Sequence, residues 1–267
     1  MCVGVRSPST LAGALVLSTF ALLAVLAPIV APYDPRLPSG PPLASPGPAH
    51  PFGTNDLGQD LLSGWLWGAR ISLQIASLVA AVSTALAWSA GLAAGLSRRA
   101  AAPLMSCADL LLALPALPLY LLVLTVVGPS QTAVVVLLAA LAWPTFARVV
   151  RAQVLAVRAA PHVEAARSLG ATALRVATVH VMPATLVLLP AHLTLAVRYA
   201  LFAEATLAFL GLGDPSAVSW GGIIGAAFGD PLLFSRAVWP WWVLPPASSI
   251  VLVVLATTWL STGRTCA

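Results

Sequence analysis

Residues 161–183, PHVEAARSLGATALRVATVHVMP, form a short segment with charged side chains between two long apolar stretches. Within it, Glu164 and Arg167 can form directional, charge-assisted contacts. Ala165 and Ala166 are small, so another protein could approach the backbone closely and receive the segment in a groove. The basic residues that flank this part are Arg158 and Arg175. These residue types therefore indicate a surface that contacts another protein.

Helix-terminus signals show how that surface would be positioned. Pro161 suits the first turn of a helix, and Gly170 suits the left-handed position that ends one. Thr172 is a favourable N-cap, and Pro183 suits the start of the next helix. We predict two short helices joined by a sharp turn at Gly170. The alternative is an ordinary amphipathic loop between membrane helices.

The composition indicates an integral membrane protein. The chain is 60% hydrophobic and 8% charged, with a mean hydropathy of +0.96, values far outside those of soluble domains. Four windows without charge each exceed the roughly 20 residues that cross a bilayer. They are residues 7–33, 71–97, 110–147 and 237–263.

Six spans are expected. The third window is long enough for a hairpin interrupted at residues 128–131, and a further span follows Pro183. Residues 1–32 are interpreted as an uncleaved transmembrane anchor, because the apolar stretch is too long for a signal peptide and prolines replace a small-residue cleavage site. Residues 33–68 are expected to be an external Pro-rich loop, acting as a linker or surface loop, followed by an interfacial helix.

The arginines predict the orientation. With a cytoplasmic N-terminus, the inner segments carry nine arginines and the outer segments three, as the positive-inside rule requires. Both termini and the segment around Glu164 are then cytoplasmic, and five aspartates are external. The net charge of +5 thus reflects topology and not nucleic-acid binding.

Resident catalysis and cofactors are not expected. Cys2, Cys107 and Cys266 are scattered, and the four histidines are expected to be isolated, so neither a disulfide framework nor metal-ligand spacing is present. The chain has no lysine and therefore no P-loop. Its arginine, alanine and proline usage is typical of a GC-rich bacterial genome.

The segment pattern resembles the cytoplasmic coupling loop of bacterial ABC importer permeases. That loop has Glu-Ala-Ala, three residues, Gly, and a Pro thirteen positions later. The matching residues here are Glu164, Ala165, Ala166, Gly170 and Pro183. Residues 32–73, 109–119 and 203–224 extend the resemblance, in order, to the C-type permease subunit of dipeptide, oligopeptide and nickel importers. One departure is Gln59, which replaces the arginine usual in the Gly-Thr-Asp-x-Leu-Gly-Arg-Asp run.

The resemblance implies an all-α, type I importer transmembrane domain with an extra N-terminal span. The permease domain would comprise residues 69–263, with the coupling loop at about 158–183. Expected partners are a homologous second permease, two ATPase subunits or one fused double ATPase, and an extracytoplasmic substrate-binding protein. ATP and Mg²⁺ would be bound by the ATPases, and the location would be a bacterial cytoplasmic membrane.

Dipeptides or short oligopeptides are the expected substrates, with nickel chelates or haem as alternatives in the same importer class. Two other classes remain open. An ion-coupled secondary transporter would show inverted repeats, and an intramembrane enzyme would show paired catalytic groups or metal ligands; neither pattern is evident.

Two charged residues fall within the fifth span. At ~1.5 Å per residue, Arg198 lies ~22 Å and Glu204 ~31 Å beyond Pro183, in the outer half of a ~30 Å core. Six residues apart, the two side chains should not pair. Both are candidates for the translocation path, where Arg198 would attract a substrate carboxylate; a buried salt bridge to the partner permease is its alternative. Glu204 is also a candidate for holding the external gate or the neighbouring loop.

Prolines and tryptophans give two further expectations. Prolines within the spans should kink or break the helices. Three tryptophans before the last span should anchor it at the outer interface. The residues concerned are Pro115, Pro118, Pro144, Pro190, Pro245 and Pro246, and Trp239, Trp241 and Trp242.

Overall fold

The computed structural model describes residues 8–262, and within them α-helices dominate. The bounds are α1 Pro8–Val30, α2 Leu61–Leu96, α3 Arg98–Ala113, α4 Ala116–Val127, α5 Gln131–Arg158, α6 Pro161–Ser168, α7 Ala173–Arg175, α8 Met182–Leu186, α9 Leu189–Phe209, α10 Trp220–Gly229, α11 Trp239–Trp242 and α12 Leu244–Thr262. A π-helix, Val176–Val181, joins α7 to α8. The expectations for Cys2, Arg6, Arg264 and Cys266 lie outside the described residues.

Four helical segments are long and apolar enough to cross a membrane: α1, α2, α5 and Trp239–Ser261. Two bent pairs also qualify when each is taken together. These are α3 with α4, bent by 91°, and residues 173–186 with α9, bent by 48°. Six spans, the number expected, result if each bent pair crosses once.

The prolines act unequally on the helices. The sharp bend between α3 and α4 lies at Pro115, and the bend before α9 lies next to Pro190. In contrast, α5 continues through Pro144, and Pro118 lies in the first turn of α4, where its missing N–H removes no hydrogen bond of the helix. In a helix interior a proline removes one hydrogen bond and crowds the carbonyl four residues earlier, so its effect depends on its position in the helix.

The chain forms two compact units. Unit 1 contains the described parts of residues 1–78, 121–135 and 197–267. In it, α1 packs along α12, and its buried residues Gly13, Phe20, Ala24 and Ala27 form one stripe. A Cβ on Gly13 would lie 2.7 Å from the carbonyl oxygen of Ala256, so close approach of the two helices requires glycine there.

The loop of unit 1 at residues 31–60, expected to be a linker or surface loop, is held in a fixed shape by side-chain hydrogen bonds. His50 Nδ1 lies 2.9 Å from Asp60 Oδ1, and both residues are buried. Gln59 donates from Nε2 to the carbonyl of Arg36 at 2.9 Å and accepts from Asn55 Nδ2 at 2.7 Å. These hydrogen bonds hold residues 31–60 in place where regular secondary structure is lacking.

Two further expectations for unit 1 differ from the structure. No separate interfacial helix ends near residue 68, because α2 runs unbroken from Leu61 and tertiary contacts support its first turns. Trp242 is 1% exposed and packs with Leu61, Leu233 and Val238. It is therefore a core residue of unit 1 and not an interfacial anchor, whereas Trp239 is 40% exposed.

Unit 2 contains residues 79–120 and 136–196. Its core joins α2, α5 and the segment that follows α5, through the buried residues Ala87, Phe146, Ala147, Val150, Val154, Val163, Val176 and Val181. Gly91 and Gly95, spaced as Gly-x-x-x-Gly, let α2 approach α5. A Cβ on Gly91 would lie 2.7 Å from the Cβ of Val150, and one on Gly95 2.5 Å from that of Val154.

Candidate coupling site and buried polar groups

Helix α6 begins at Pro161, as its proline predicts. Val163 points into the core of unit 2 and is fully buried. Glu164, Ala165 and Arg167 are exposed in unit 2. One side chain thus anchors α6 to the unit, and the charged side of the helix is available to a partner.

Gly170 ends this helix in the way that its residue type predicts. Its φ is +88°, in the left-handed region. The Gly170 N–H donates to the carbonyl of Arg167 at 2.9 Å, and the Ala171 N–H donates to that of Ala166 at 3.0 Å. This pair of bonds satisfies carbonyls left open at the helix terminus and reverses the chain.

The second predicted helix begins where expected but does not end before Pro183. The Thr172 hydroxyl accepts from the Arg175 N–H at 3.3 Å, which caps α7. The chain then continues through the π-helix into α8, so Pro183 lies inside one helical run. The wider π turns accommodate the carbonyl of Val179, which a proline four residues later would otherwise crowd.

Sequence reasoning missed two apolar residues of this segment. Leu169 is 89% exposed and Leu174 is 74% exposed, and they flank the turn at Gly170. Two exposed leucines on either side of a turn that is expected to lie outside the spans indicate an interaction surface. Their position on either side of a predicted helix break is the sequence feature from which they could have been identified.

The basic residue Arg158 is used within the chain, contrary to its expected role toward a partner. It donates from Nη1 to the carbonyls of Gly95 at 2.5 Å and Leu96 at 3.2 Å. These carbonyls end α2 and have no partner within the helix, so a cation is favourable there. Arg167 and Arg175 are exposed and remain available.

The histidines are less isolated than predicted. The rings of His162, on α6, and His180, on the π-helix, have centroids 5.7 Å apart. Phe146 and His192 stack in parallel at 3.7 Å. Among the described residues, however, no group of three or more His, Cys, Asp or Glu side chains could hold a metal ion.

Glu204 is buried in unit 1, with 3% of its surface exposed. The Ser72 hydroxyl donates to its Oε2 at 3.1 Å and accepts from the Trp220 N–H at 3.2 Å. Ser219 is a second hydroxyl partner. This network joins α2 and α9 to the start of α10. The roles of Glu204 in the translocation path and in holding the external gate or loop remain predictions.

Arg198 has a separate partner. It is half-buried and donates from Nη1 to Thr258 Oγ1, on α12, at 2.9 Å. Its ion pair with a partner permease and its exposure to the translocation path both remain predictions.

Comparison with known proteins identifies the family. The model of a protein family described as "Binding-protein-dependent transport system inner membrane component" matches residues 83–262 of this chain. A Brucella suis protein with the provisional name of a peptide transport system permease is 37% identical over 91% of this chain and 82% of its own length. A second B. suis protein, provisionally named a peptide permease, is 35% identical over 93% of this chain and 83% of its own length.

The dipeptide transport system permease protein DppC of Alkalihalophilus pseudofirmus is 31% identical over 97% of this chain and 84% of its own length. The family match covers both the coupling segment and the spans around it. The helical structure and the apolar spans are those expected of a membrane component of this family. The chain therefore belongs to the family of binding-protein-dependent ABC transport system inner membrane components, as a multi-pass permease.

Proposed function

We propose that this chain forms half of the translocation path of an importer for dipeptides or short oligopeptides. Its partners are a homologous second permease, two ATPase domains on separate or fused chains, and an extracytoplasmic substrate-binding protein. The relatives named for peptide and dipeptide transport support this substrate class. ATP and Mg²⁺ bind to the ATPases, and this chain holds no cofactor.

The observation that carries the proposal is the construction of α6. Val163 fixes the helix to a core that also contains Val150 and Val154 of α5. The opposite surface, from Glu164 to Leu174, presents charged, small and apolar side chains to a partner. Since a close-packed core transmits displacement, movement of α6 by an ATPase moves α5 and so changes access to the path.

The orientation follows from the charges. The segment from 158 to 183 faces the cytoplasm, where an ATPase can reach it, and both termini are also cytoplasmic. The external loop and its aspartates face the binding protein.

The test uses the complete importer, reconstituted in vesicles with labelled dipeptide. ATP on the cytoplasmic side should drive uptake, and omission of ATP should abolish it. Leu169→Asp and Leu174→Asp should each remove most of the bound ATPase and reduce uptake at least tenfold, because a charge replaces apolar contact area. Leu57→Asp, at an exposed leucine of the external loop, is the matched control for ATPase binding, which it should leave unchanged.

Three results contradict parts of this proposal. Uptake without ATP contradicts the importer mechanism and favours ion coupling. Full ATPase binding in both leucine variants contradicts the coupling surface. Competition by nickel chelates or haem, with none by unlabelled peptides, contradicts the substrate class and leaves the coupling surface intact.

A further inference from the structure

Four arginines line one cavity of unit 2, beside the coupling segment. The cavity has a volume of about 520 Å³ and lies where α2, α3, α5 and α6 come together. Arg98 starts α3, Arg151 and Arg158 lie on α5, and Arg167 lies on α6. Four guanidinium groups around one space create a strongly positive site.

This positive charge is not neutralised within the unit. Among the described residues, no carboxylate lies within 4.0 Å of these four guanidinium groups. Unit 2 has only two acidic residues, Asp109 and Glu164; Asp109 pairs with Arg148, and Glu164 is exposed. The Arg151 Nε is buried and has no hydrogen-bond partner. A buried donor without a partner is costly, which points to a bound anion that accepts from it.

The position of the cavity selects the kind of anion. Arg151 lies ~30 Å along α5 from Gln131 at ~1.5 Å per residue, which equals the thickness of the hydrocarbon core. Its guanidinium is therefore at the level of lipid phosphates. Leu155, Ala94 and Ala101 complete the wall, and Leu155 is 44% exposed. Basic cavities between membrane helices, with an apolar side, suit anionic lipid headgroups.

We propose that this cavity binds the phosphate group of an anionic phospholipid. Arg151 and Arg98 contact the phosphate, and Arg167 joins it from α6. Guanidinium groups are suited to phosphate because they can donate two parallel hydrogen bonds. The lipid would bridge α6 to α5 at the point where we expect ATPase motion to enter the chain.

The experiment measures bound lipid on the complete importer. The purified complex is exchanged into phosphatidylcholine nanodiscs with or without phosphatidylglycerol, and native mass spectrometry counts the lipid that is retained. Arg151→Gln should retain phosphatidylglycerol about tenfold less well than wild type, as for loss of one charge-assisted hydrogen bond. Arg98→Gln should act in the same direction.

The control is Arg99→Gln. Arg99 neighbours Arg98 and is exposed, but it does not line the cavity. Its variant should retain phosphatidylglycerol as wild type does. In phosphatidylcholine alone, Arg151→Gln should unfold at the wild-type temperature or above, because its Nε loses no hydrogen bond. Added phosphatidylglycerol should raise the unfolding temperature of wild type and Arg99→Gln, but not that of Arg151→Gln.

Equal retention by Arg151→Gln and Arg99→Gln would overturn the proposal. So would binding of inorganic phosphate in place of lipid with the same dependence on Arg151, or a cross-link showing an ATPase carboxylate in the cavity. Because retained lipid is measured and not transport, the test keeps its meaning if the peptide-import proposal fails.

Discussion

At the residue scale, Glu204 shows how a carboxylate is accommodated inside a membrane protein. Its partners are hydroxyl groups, and the Ser72 hydroxyl also accepts a hydrogen bond from the backbone N–H of Trp220. The Trp220 indole in turn donates to the carbonyl of Trp65 at 3.1 Å. Burial of a polar group is tolerated because each member of the network has a partner. The sequence placed Glu204 within a span, but its partners come from distant helices and no local pattern predicts them.

Glu204→Ala should destabilise the protein by about 1–3 kcal/mol, because the Ser72 hydroxyl loses its acceptor and a cavity remains. Asp56→Ala is the control, since Asp56 is exposed, lies outside the coupling segment and should change stability by less than about 0.5 kcal/mol. The measurement is the unfolding midpoint of the purified complex in detergent. Equal midpoints for the two variants would show that the Glu204 network is not structural.

Asp214, outside the spans, stabilises the turn between α9 and α10 by accepting hydrogen bonds. Ser216 donates from its hydroxyl at 2.6 Å and from its backbone at 2.8 Å, and Gln131 donates its N–H at 3.2 Å. The Ser216 bonds are the main cause of a pKa below the value of 3.8 usual for aspartate. The stabilisation is thus complete above the unfolded pKa and is lost as pH falls through the lower folded pKa.

Asp214→Asn should therefore lower stability near neutral pH by less than about 1 kcal/mol, since solvent screens an exposed group. The difference from wild type should shrink as pH falls below 3.8, the usual pKa of aspartate, and on through the lower pKa of folded Asp214. Unfolding midpoints recorded between about pH 6 and about pH 3 test this. Asp56→Asn, in the external loop, is the control; a parallel loss in both variants would contradict a specific role of Asp214.

At the element scale, local signals predicted two helix starts and one helix end correctly, whereas the expected start at Pro183 lies within one helical run. Pro161, Gly170 and Thr172 act through backbone geometry within a few residues, and the structure places each as predicted. Pro183 and Pro144 lie inside helices because neighbouring turns or helices compensate for the lost hydrogen bond. Val163 could not be identified as an anchor, since its burial depends on residues of α2 and α5.

Val163→Ala tests the anchor of α6. Loss of the buried side chain should cost about 2 kcal/mol locally and loosen α6 from its core. The reconstituted importer should still hydrolyse ATP, but it should import several-fold fewer peptides per ATP. Val179→Ala, at a valine that is 56% exposed in the same unit, is the control. An unchanged ratio of peptide to ATP would exclude Val163 as the point of transmission.

Gly170→Ala tests the turn that follows. No atom lies within 4 Å of a Cβ placed on Gly170, so its effect comes from the positive φ alone and should cost about 1–2 kcal/mol. Uptake should fall, and Gly170→Asn should restore part of it because asparagine tolerates this conformation. Gly229→Ala, equally open but without a positive φ, should leave uptake unchanged. Identical uptake in the two alanine variants would contradict a need for the turn.

At the scale of the whole molecule, composition predicted the class and the family pattern predicted the fold. The lengths of the apolar stretches were sufficient to identify the straight spans, because the thickness of the bilayer sets a minimum length for every spanning helix. They were insufficient for the bent pairs, since length and apolar composition do not show the 91° bend at Pro115 between α3 and α4. The ordered external loop was also missed, because proline-rich composition does not show that His50 and Asp60 meet.

The orientation itself can be tested by chemical labelling. In a background with Cys2, Cys107 and Cys266 replaced by serine, Leu57→Cys and Leu174→Cys each provide one reactive thiol. Both leucines are exposed, 60% and 74% respectively. A maleimide that cannot cross membranes should label Leu57→Cys in intact cells and Leu174→Cys only after permeabilisation, because the arginine excess retains the coupling segment in the cytoplasm. The opposite result would place Leu169 and Leu174 beyond the reach of any cytoplasmic ATPase.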